Sequence, residues 1–348
     1  MPELIETTVV RTPIAGAAML SARDVSVAFP AARGGWIEVV RSATFDLHPG
    51  EILGLVGESG SGKTVTSLAL MGMFRAGSRL TGGSIAFDGR DVTALDEKGW
   101  RELRGNRIAM VMQQPARALN PAFTVGRQIA EVAGRHLGLG RKQAWEHAVA
   151  TLDRVHIPDA RQRAKEFPHQ FSGGMAQRVL VAMALACEPS VIIADEPTTA
   201  LDVTVQAHIL QLLRELVDDT GVSILYITHD LAVVAQLCER AAVMYAGEVV
   251  EVSDVVDLFE RPRHPYTQGL LDSIPVGVEK GGRLRGVPGQ IPSPGSMPAG
   301  CRFHPRCAHV LDGPCTTTPL ELVTHDRGAD RCVRSADLTL TGVSRGTA

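Results

Sequence analysis

A glycine-rich stretch with one lysine separates an apolar run from a helical pattern. The stretch is GESGSGKT, residues 57–64, and it fits the phosphate-binding pattern G-x-x-x-x-G-K-[ST]. Its glycines let backbone N–H groups converge on phosphate oxygens, Lys63 can bring a charge to the β- and γ-phosphates, and Thr64 can ligate Mg²⁺. The alternative is a glycine-rich turn that binds no ligand. Such a turn would not require the strand before it and the helix after it that this sequence predicts. The predicted nucleotide-binding residues here are Gly57, Ser59, Gly60, Ser61, Gly62, Lys63, Thr64 and Val65.

Two acidic residues end a second apolar run, VIIADEP, at residues 191–197. Acids that follow such a buried strand usually meet a cation. We expect Asp195 to hold Mg²⁺ through water and Glu196 to polarise the attacking water as the general base of γ-phosphate hydrolysis. The alternative is a solvated acidic turn.

A second glycine-containing helix start lies between these two motifs, in FSGGMAQRVLVAMALA. Ser172, Gly173 and Gly174 offer N–H groups and a hydroxyl to an anion. One fold does not need two such sites for one triphosphate. We therefore expect this helix start to bind the nucleotide of a neighbouring subunit.

The elements that position these motifs alternate between short β-rich segments and helical periodicities, which predicts an α/β fold with a mainly parallel sheet. The segment VTVQAHILQLLRELVDD reads as a helix capped by Asp202 and ended by Gly221. Between about 116 and 187 the pattern is almost entirely helical and predicts an inserted helical subdomain. After about Pro275 the composition turns to Pro, Gly and Cys, which predicts a separate, irregular tail module.

Composition restricts the class of protein. The chain has 348 residues, 45% of them hydrophobic, so it can bury a large core. Its net charge of −3 gives no electrostatic reason to expect nucleic acid as the main partner, since such binding usually needs a basic face. Arg11 and Pro13 interrupt the apolar N-terminal part, and the longest apolar run, VLVAMALAC, is about half a membrane span. We expect a cytosolic chain without a span of its own.

Three further positions complete a resemblance. Gln113 follows a strand, TALD follows the acidic pair, and His229 ends the segment SILYITH. With these motifs, residues 18–275 resemble the ATP-binding cassette (ABC) ATPases. The resemblance implies a P-loop NTPase fold with a mainly parallel core sheet, an antiparallel β subdomain and a helical subdomain, in which two paired cassettes enclose two ATP molecules.

The same resemblance implies roles for single residues. Gln113 matches the glutamine that senses Mg²⁺ and the membrane partner, His229 the histidine that contacts the γ-phosphate, and Asp202 the aspartate that reaches across the dimer. Phe29 matches the aromatic residue that stacks on adenine, and Trp36 is its rival. The implied Mg²⁺ ligands are Thr64, Gln113 and Asp195.

Longer segments narrow the resemblance to one branch. The segments QQPARALNPAFTVGRQIAE, RPRHPYTQGLLDSIP, GVPGQIPSP and PAGCRFHPRC resemble the ATPase subunits of oligopeptide/dipeptide permeases, a branch that includes nickel importers. This implies an ATPase at the cytoplasmic face of the membrane that powers peptide uptake. Its implied partners are two permease subunits, a related second ATPase and an extracytoplasmic binding protein. A nickel or other solute importer and a soluble, non-transport ABC ATPase remain alternatives.

Four cysteines lie in the predicted tail module, residues 276–340: Cys301, Cys307, Cys315 and Cys332. Four thiolates can bind a [4Fe–4S] cluster or zinc, either of which would stabilise a segment without a core. No C-x-x-C pair, the usual sign of structural zinc, is present, and the resembled family contains cluster-bearing members. We expect a cluster, with zinc or unligated thiols as alternatives, and we expect Cys187 and Cys238 to be buried packing residues.

Overall fold

The computed structural model describes residues 17–32, 34–75, 77–199, 201–274 and 286–343. The described residues form two compact units. The first takes in those within Met1–Asp46, Ile52–Thr93 and Thr228–Ala348, and the second those within Leu47–Glu51 and Ala94–Ile227.

One sheet of the first unit contains four strands in the order β2-β1-β4-β5. Strands β1 and β4 are antiparallel, with Leu20 opposite Phe87 and a bulge near Ser26. Strand β1 is buried at Leu20 and Ala22 and along the continuous run of residues 25–28, so much of the strand belongs to the core. The four strands are β1 (Leu20–Pro30), β2 (Trp36–Leu47), β4 (Arg79–Phe87) and β5 (Arg90–Asp91).

The other sheet of this unit positions the phosphate-binding stretch. Its strands run in the order β11-β12-β10-β9-β3, with β3 parallel to β9 and the remaining neighbours antiparallel. All five residues of β3 are buried, as expected for a strand covered on both faces. The strands are β3 (Ile52–Val56), β9 (Arg240–Tyr245), β10 (Glu248–Asp254), β11 (Val323–His325) and β12 (Gly328–Asp330). The helices of the unit are α1 (Lys63–Leu70), α9 (Leu231–Leu237), α10 (Val255–Glu260) and α11 (Pro265–Leu271).

The second unit combines three parallel strands with a group of helices. Its strand order is β8-β7-β6, and the fully buried β7 lies in the middle. The strands are β6 (Ile108–Val111), β7 (Val191–Asp195) and β8 (Ser223–Thr228). The helices are α2 (Glu97–Leu103), α3 (Pro115–Ala118), α4 (Val125–Leu137), α5 (Arg141–Arg154), α6 (Ala160–Arg163), α7 (Gly173–Leu185) and α8 (Val203–Thr220).

Helix α8 has the boundaries that the sequence predicts. The Asp202 carboxylate accepts a hydrogen bond from the Val205 N–H at 3.0 Å, and Gly221 ends the helix in the left-handed conformation at φ 70°. The apolar stripe, which includes Ile209 and Leu213, is buried.

The cysteine-containing tail is part of the first unit rather than a separate one. Strand β12 pairs with β10, placing Ala329 opposite Val252, so the tail extends an existing sheet. This arrangement satisfies backbone groups that a short Pro- and Gly-rich segment could not pair by itself. The start of the predicted module, residues 276–285, lies outside the described residues, as do residues 1–16 and Ala200.

Among the helices that the structure describes, none is long and apolar enough to cross a membrane.

Candidate nucleotide-binding site

The phosphate-binding stretch connects β3 to α1, as predicted. Its lysine is buried, and Lys63 Nζ donates hydrogen bonds to the carbonyl oxygens of Gly57 at 2.7 Å and Glu58 at 3.0 Å. Thr64 is exposed at the first turn of α1. The first unit therefore contains the positive charge, the hydroxyl and the helix start that a magnesium-bound triphosphate requires.

Two glycines of this stretch are required by their surroundings. A Cβ atom on Gly57 would lie 2.1 Å from the Met244 carbonyl oxygen, so no side chain fits there. Gly62 precedes α1 at φ 105°, a conformation that side chains rarely adopt. The Gly247 N–H also donates to the Ser61 carbonyl at 2.7 Å, which fixes the loop against the β9–β10 turn.

One loop residue has partners that the sequence did not indicate. The Glu58 N–H donates to the Tyr266 hydroxyl at 2.9 Å, and the Glu58 carboxylate accepts from both terminal nitrogens of Arg306 at 2.9 and 3.1 Å. Tyr266 and Arg306 lie in the segments HPYTQGLL and CRFHPRC, whose sequence indicates the family but not a contact with this loop.

The acidic pair lies in the second unit. Asp195 is buried at the end of β7, and Glu196 adopts φ 46°, a rare backbone conformation of the kind found at functional sites. Glu196 Oε2 accepts hydrogen bonds from Gln113 Nε2 and Thr199 Oγ1, each at 3.0 Å. The structure thus brings the predicted Gln113 to the predicted base and adds Thr199, which no sequence motif indicated.

The second helix start is also in the second unit. Ser172 caps α7, and its hydroxyl accepts from the Met175 N–H at 3.4 Å. Ser172 and Gly173 are exposed, whereas a Cβ on Gly174 would lie 2.4 Å from Val205 Cγ1. Gly173 therefore leaves one side of this helix end exposed, and Gly174 allows the other side to pack against α8.

The remaining predicted residues lie in the first unit. His229 is exposed directly after β8. Phe29 is half-buried near the end of β1, and Trp36 begins β2 with 45% of its surface exposed. The Arg79 guanidinium carbon lies 3.7 Å from the centroid of the Trp36 ring. Both aromatic side chains are therefore accessible for the predicted stacking on the adenine base.

All four tail cysteines line one cavity of about 20 Å³, together with Phe303, Leu320 and Leu338. Burial raises the pKa of the Cys301 thiol to about 12 and that of Cys332 to about 11, and it also raises the pKa of Cys307. Among the residues that the structure describes, no three His, Cys, Asp or Glu side chains are grouped so that they could hold one metal ion. The structure therefore places the thiols around one space but gives the predicted metal site no direct support.

Comparisons with known proteins identify the family of this chain. The family model "ABC transporter" matches residues 40–199, and "Oligopeptide/dipeptide transporter, C-terminal region" matches residues 250–315. A protein of Brucella abortus (strain 2308), named as a peptide import ATP-binding protein, is 47% identical over 316 residues, which are 91% of this chain and 95% of the relative. The chain belongs to the oligopeptide/dipeptide ABC transporter ATPase family. A Brucella suis (biovar 1, strain 1330) protein with the same kind of name matches with the same identity and coverage.

Solved structures of ABC cassettes share the fold of this family member. The ATP-binding cassette MJ0796, in a dimeric post-hydrolysis state bound to ADP and Pi, has a TM-score of 0.61 and 27% identity over 68% of this chain and 99% of that one. The cbiO1 protein of Clostridium perfringens has a TM-score of 0.60 and 24% identity over 70% of this chain and 91% of that one. The predicted family and P-loop fold are confirmed, and the chain is an ATP-hydrolysing subunit of an ABC transporter.

Proposed function

We propose that this chain hydrolyses ATP to drive the uptake of di- and oligopeptides through separate membrane permease subunits. The observation that carries the proposal is the match to 95% of the length of a Brucella relative named for peptide import, which includes the oligopeptide/dipeptide C-terminal region. The segments HPYTQGLL and CRFHPRC, which resemble the ATPase subunits of oligopeptide/dipeptide permeases, lie within that region.

The site residues have distinct proposed roles. Lys63 and the loop N–H groups bind the β- and γ-phosphates, and Thr64 and Asp195 hold Mg²⁺ with Gln113. Glu196 is the general base, supported by the hydrogen bonds that orient its Oε2. His229 contacts the γ-phosphate, and Phe29, with Trp36 as the alternative, stacks on adenine.

Pairing with a second ATPase subunit completes the proposed ATP sites. Ser172, Gly173, Gly174 and Asp202 act on the nucleotide of a second, related ATPase, so that two cassettes close over two ATP molecules. The exposed start of α7 supports this role, since its free N–H groups and helix dipole favour an anion. The complex contains two permeases and receives peptide from an extracytoplasmic binding protein, and this chain sits peripherally at the cytoplasmic face.

Nickel or another solute is the second candidate cargo. The family resemblance admits it, and an ATPase that never touches the cargo carries no residues that would exclude it.

Reconstitution of the native complex tests this function. The complex would be purified from membranes through a tag on this chain, its subunits identified by mass spectrometry, and uptake of labelled peptides and of Ni²⁺ into vesicles compared. We expect ATP-dependent peptide uptake, and we expect Glu196→Gln to retain ATP affinity while turnover falls by at least about 100-fold, since a general base contributes roughly 10²–10⁴-fold. Uptake of Ni²⁺ alone would favour the second cargo, and unaltered turnover would refute Glu196 as the base.

We also propose that the four tail cysteines hold a [4Fe–4S] cluster, with Zn²⁺ as the alternative. The shared cavity supports this assignment. Burial holds the thiol pKa values high, so thiolates would form there only beside a compensating cation such as iron. When bound, the cluster would cross-link segments of the tail and stabilise them.

A further inference from the structure

A short segment of the tail contacts the phosphate-binding loop and the residues next to it. This bracing segment is residues 301–307, CRFHPRC, and it begins and ends with cysteines that line the tail cavity. Arg302, Phe303 and Arg306 are its buried residues. Each of the three contacts the loop or the residues on which the loop rests.

The direct contact is an ion pair between Arg306 and Glu58. The Arg306 side chain is 5% exposed, and both of its terminal nitrogens donate to the Glu58 carboxylate. Its Nε donates to the Pro288 carbonyl at 2.6 Å, and one terminal nitrogen also donates to Val287 O at 3.2 Å. A guanidinium held on several sides forms a rigid, two-pronged anchor for a carboxylate.

Glu58 in turn organises the loop. Its carbonyl accepts hydrogen bonds from Lys63 Nζ at 3.0 Å and from the Ser61 N–H at 3.1 Å, while its own N–H donates to the Tyr266 hydroxyl. Fixing the Glu58 side chain therefore restrains the carbonyl that holds the phosphate-binding lysine.

Arg302 supports the loop through the β9–β10 turn. Its guanidinium donates to the Ala246 carbonyl, and the next residue, Gly247, donates its N–H to the Ser61 carbonyl. Phe303, between the two arginines, packs edge-on against Tyr245 at a centroid distance of 5.1 Å and contacts the Tyr266 ring at 5.4 Å. The bracing segment thus supports the loop through two arginines and an aromatic cluster.

Charge gives the Arg306 contact a second effect. Glu58 places a negative charge in a loop that binds a triphosphate, and like charges at short distance repel. The bidentate guanidinium compensates this charge. Without Arg306, the loop would be less restrained and would also present an uncompensated carboxylate near the anion.

We propose that Arg306 is a positioning residue for ATP binding: it braces the phosphate-binding loop through Glu58 and compensates the charge of that residue. The tail that distinguishes this family member from a bare cassette would thereby set the nucleotide affinity of the first unit. The inference rests on the proposed binding of ATP by Lys63 and its loop.

The test compares nucleotide affinity with thermal stability in the purified full-length chain. Binding of a non-hydrolysable ATP analogue with Mg²⁺ would be measured by calorimetry for wild type, Arg306→Ala, Arg306→Lys, Glu58→Gln and the Arg306→Ala/Glu58→Gln double variant. The matched control is Arg331→Ala. Arg331 is an equally buried tail arginine that also precedes a cysteine, but it donates to Val249 O and Ser42 O rather than to the loop.

We expect Arg306→Ala to raise the Kd for the analogue about tenfold, since truncating the buried arginine of a hydrogen-bonded charge pair leaves the partly buried Glu58 carboxylate uncompensated. Arg306→Lys should retain part of the affinity, and the double variant should bind more tightly than Arg306→Ala because the uncompensated charge is gone. Arg331→Ala should lower the Tm with less than about a twofold change in Kd.

Equal losses of affinity in Arg306→Ala and Arg331→Ala, or additive effects in the double variant, would overturn the proposal. The Lys63→Ala variant distinguishes a failure of the bracing role of Arg306 from a failure of the proposed ATP site. If Lys63→Ala binds the analogue like wild type, the proposed ATP site is wrong. If Lys63→Ala loses binding while Arg306→Ala retains it, only the bracing role fails.

Discussion

At the scale of single residues, Glu251 and His264 show how burial changes the pKa values of side chains around the segment HPYTQGLL. The Glu251 carboxylate accepts the N–H groups of Arg263 and His264, each at 2.9 Å, and the His264 ring nitrogen Nδ1 accepts the Tyr266 N–H at 3.0 Å. Burial raises the pKa of Glu251 to about 7 and lowers the pKa of His264 to about 3. The two residues therefore form a buried cap for α11, which carries Tyr266 to the phosphate-binding loop.

The raised pKa of Glu251 predicts a pH-dependent effect of Glu251→Gln. Between pH 4.5 and about 7 the folded chain holds a proton on Glu251 that the unfolded chain releases, so wild-type stability from this group falls as the pH rises through this window. Above about pH 7 the buried carboxylate is ionised and costs on the order of 3 kcal/mol. Glutamine has no such cost.

Thermal unfolding of both proteins at pH 5 and pH 8 checks this prediction. The Tm of Glu251→Gln minus that of wild type should become more positive at pH 8. A difference that is the same at both pH values would show that folding does not raise the pKa of Glu251.

At the scale of elements, the contact between α7 and α8 explains why one glycine of the helix start is more constrained than its neighbour. The Gly174 position faces Val205, whose Cγ1 would lie 2.4 Å from an added Cβ, while a Cβ on Gly173 would find its nearest neighbour at 3.7 Å. Valine is stiff about χ1, so it cannot move aside freely. The two helices approach closely only because residue 174 lacks a side chain.

We therefore predict different outcomes for two matched substitutions. Gly174→Ala should destabilise the chain by about 1–3 kcal/mol through overpacking, whereas Gly173→Ala should change stability by less than about 1 kcal/mol. The measurement is chemical or thermal unfolding of the full chain. Val205→Ala combined with Gly174→Ala should recover most of the loss, and a failure to recover it would contradict the steric explanation.

At the scale of the whole molecule, the tail is integrated into the first unit in three ways. Strand β12 extends the sheet through β10, Arg331 donates to Val249 O, and the bracing segment contacts the loop. A metal group that cross-linked the four cysteines would therefore stabilise the first unit as well as the tail.

Anaerobic purification tests that group. We expect a brown protein with visible absorption, about four irons and four acid-labile sulfides per chain, and a Tm that falls when the iron is removed. A colourless protein with one zinc per chain would establish the alternative. A protein that contained neither metal would show that the four tail thiols are unligated. A Cys307→Ser variant should lose the colour, with Cys187→Ser, outside the tail, as the matched control.

Features that depend on a few adjacent residues were predictable from the sequence. The phosphate-binding loop, the acidic strand end and the Asp202 cap each follow from backbone requirements and side-chain chemistry that neighbouring residues supply. The rare backbone conformation of Glu196 and its partner Thr199 were not predicted, because they depend on how β7 meets the following turn.

The sequence by itself determined the family, the nucleotide chemistry and most elements, because glycine spacing, caps and hydrophobic periodicity act locally. Only the tertiary structure decided that the tail extends the sheet of the first unit and that Arg306 pairs with Glu58, 248 positions away. The physical reason is that such contacts form only when complete elements pack and bury polar groups that must then find partners. No local pattern specifies which distant partner they find.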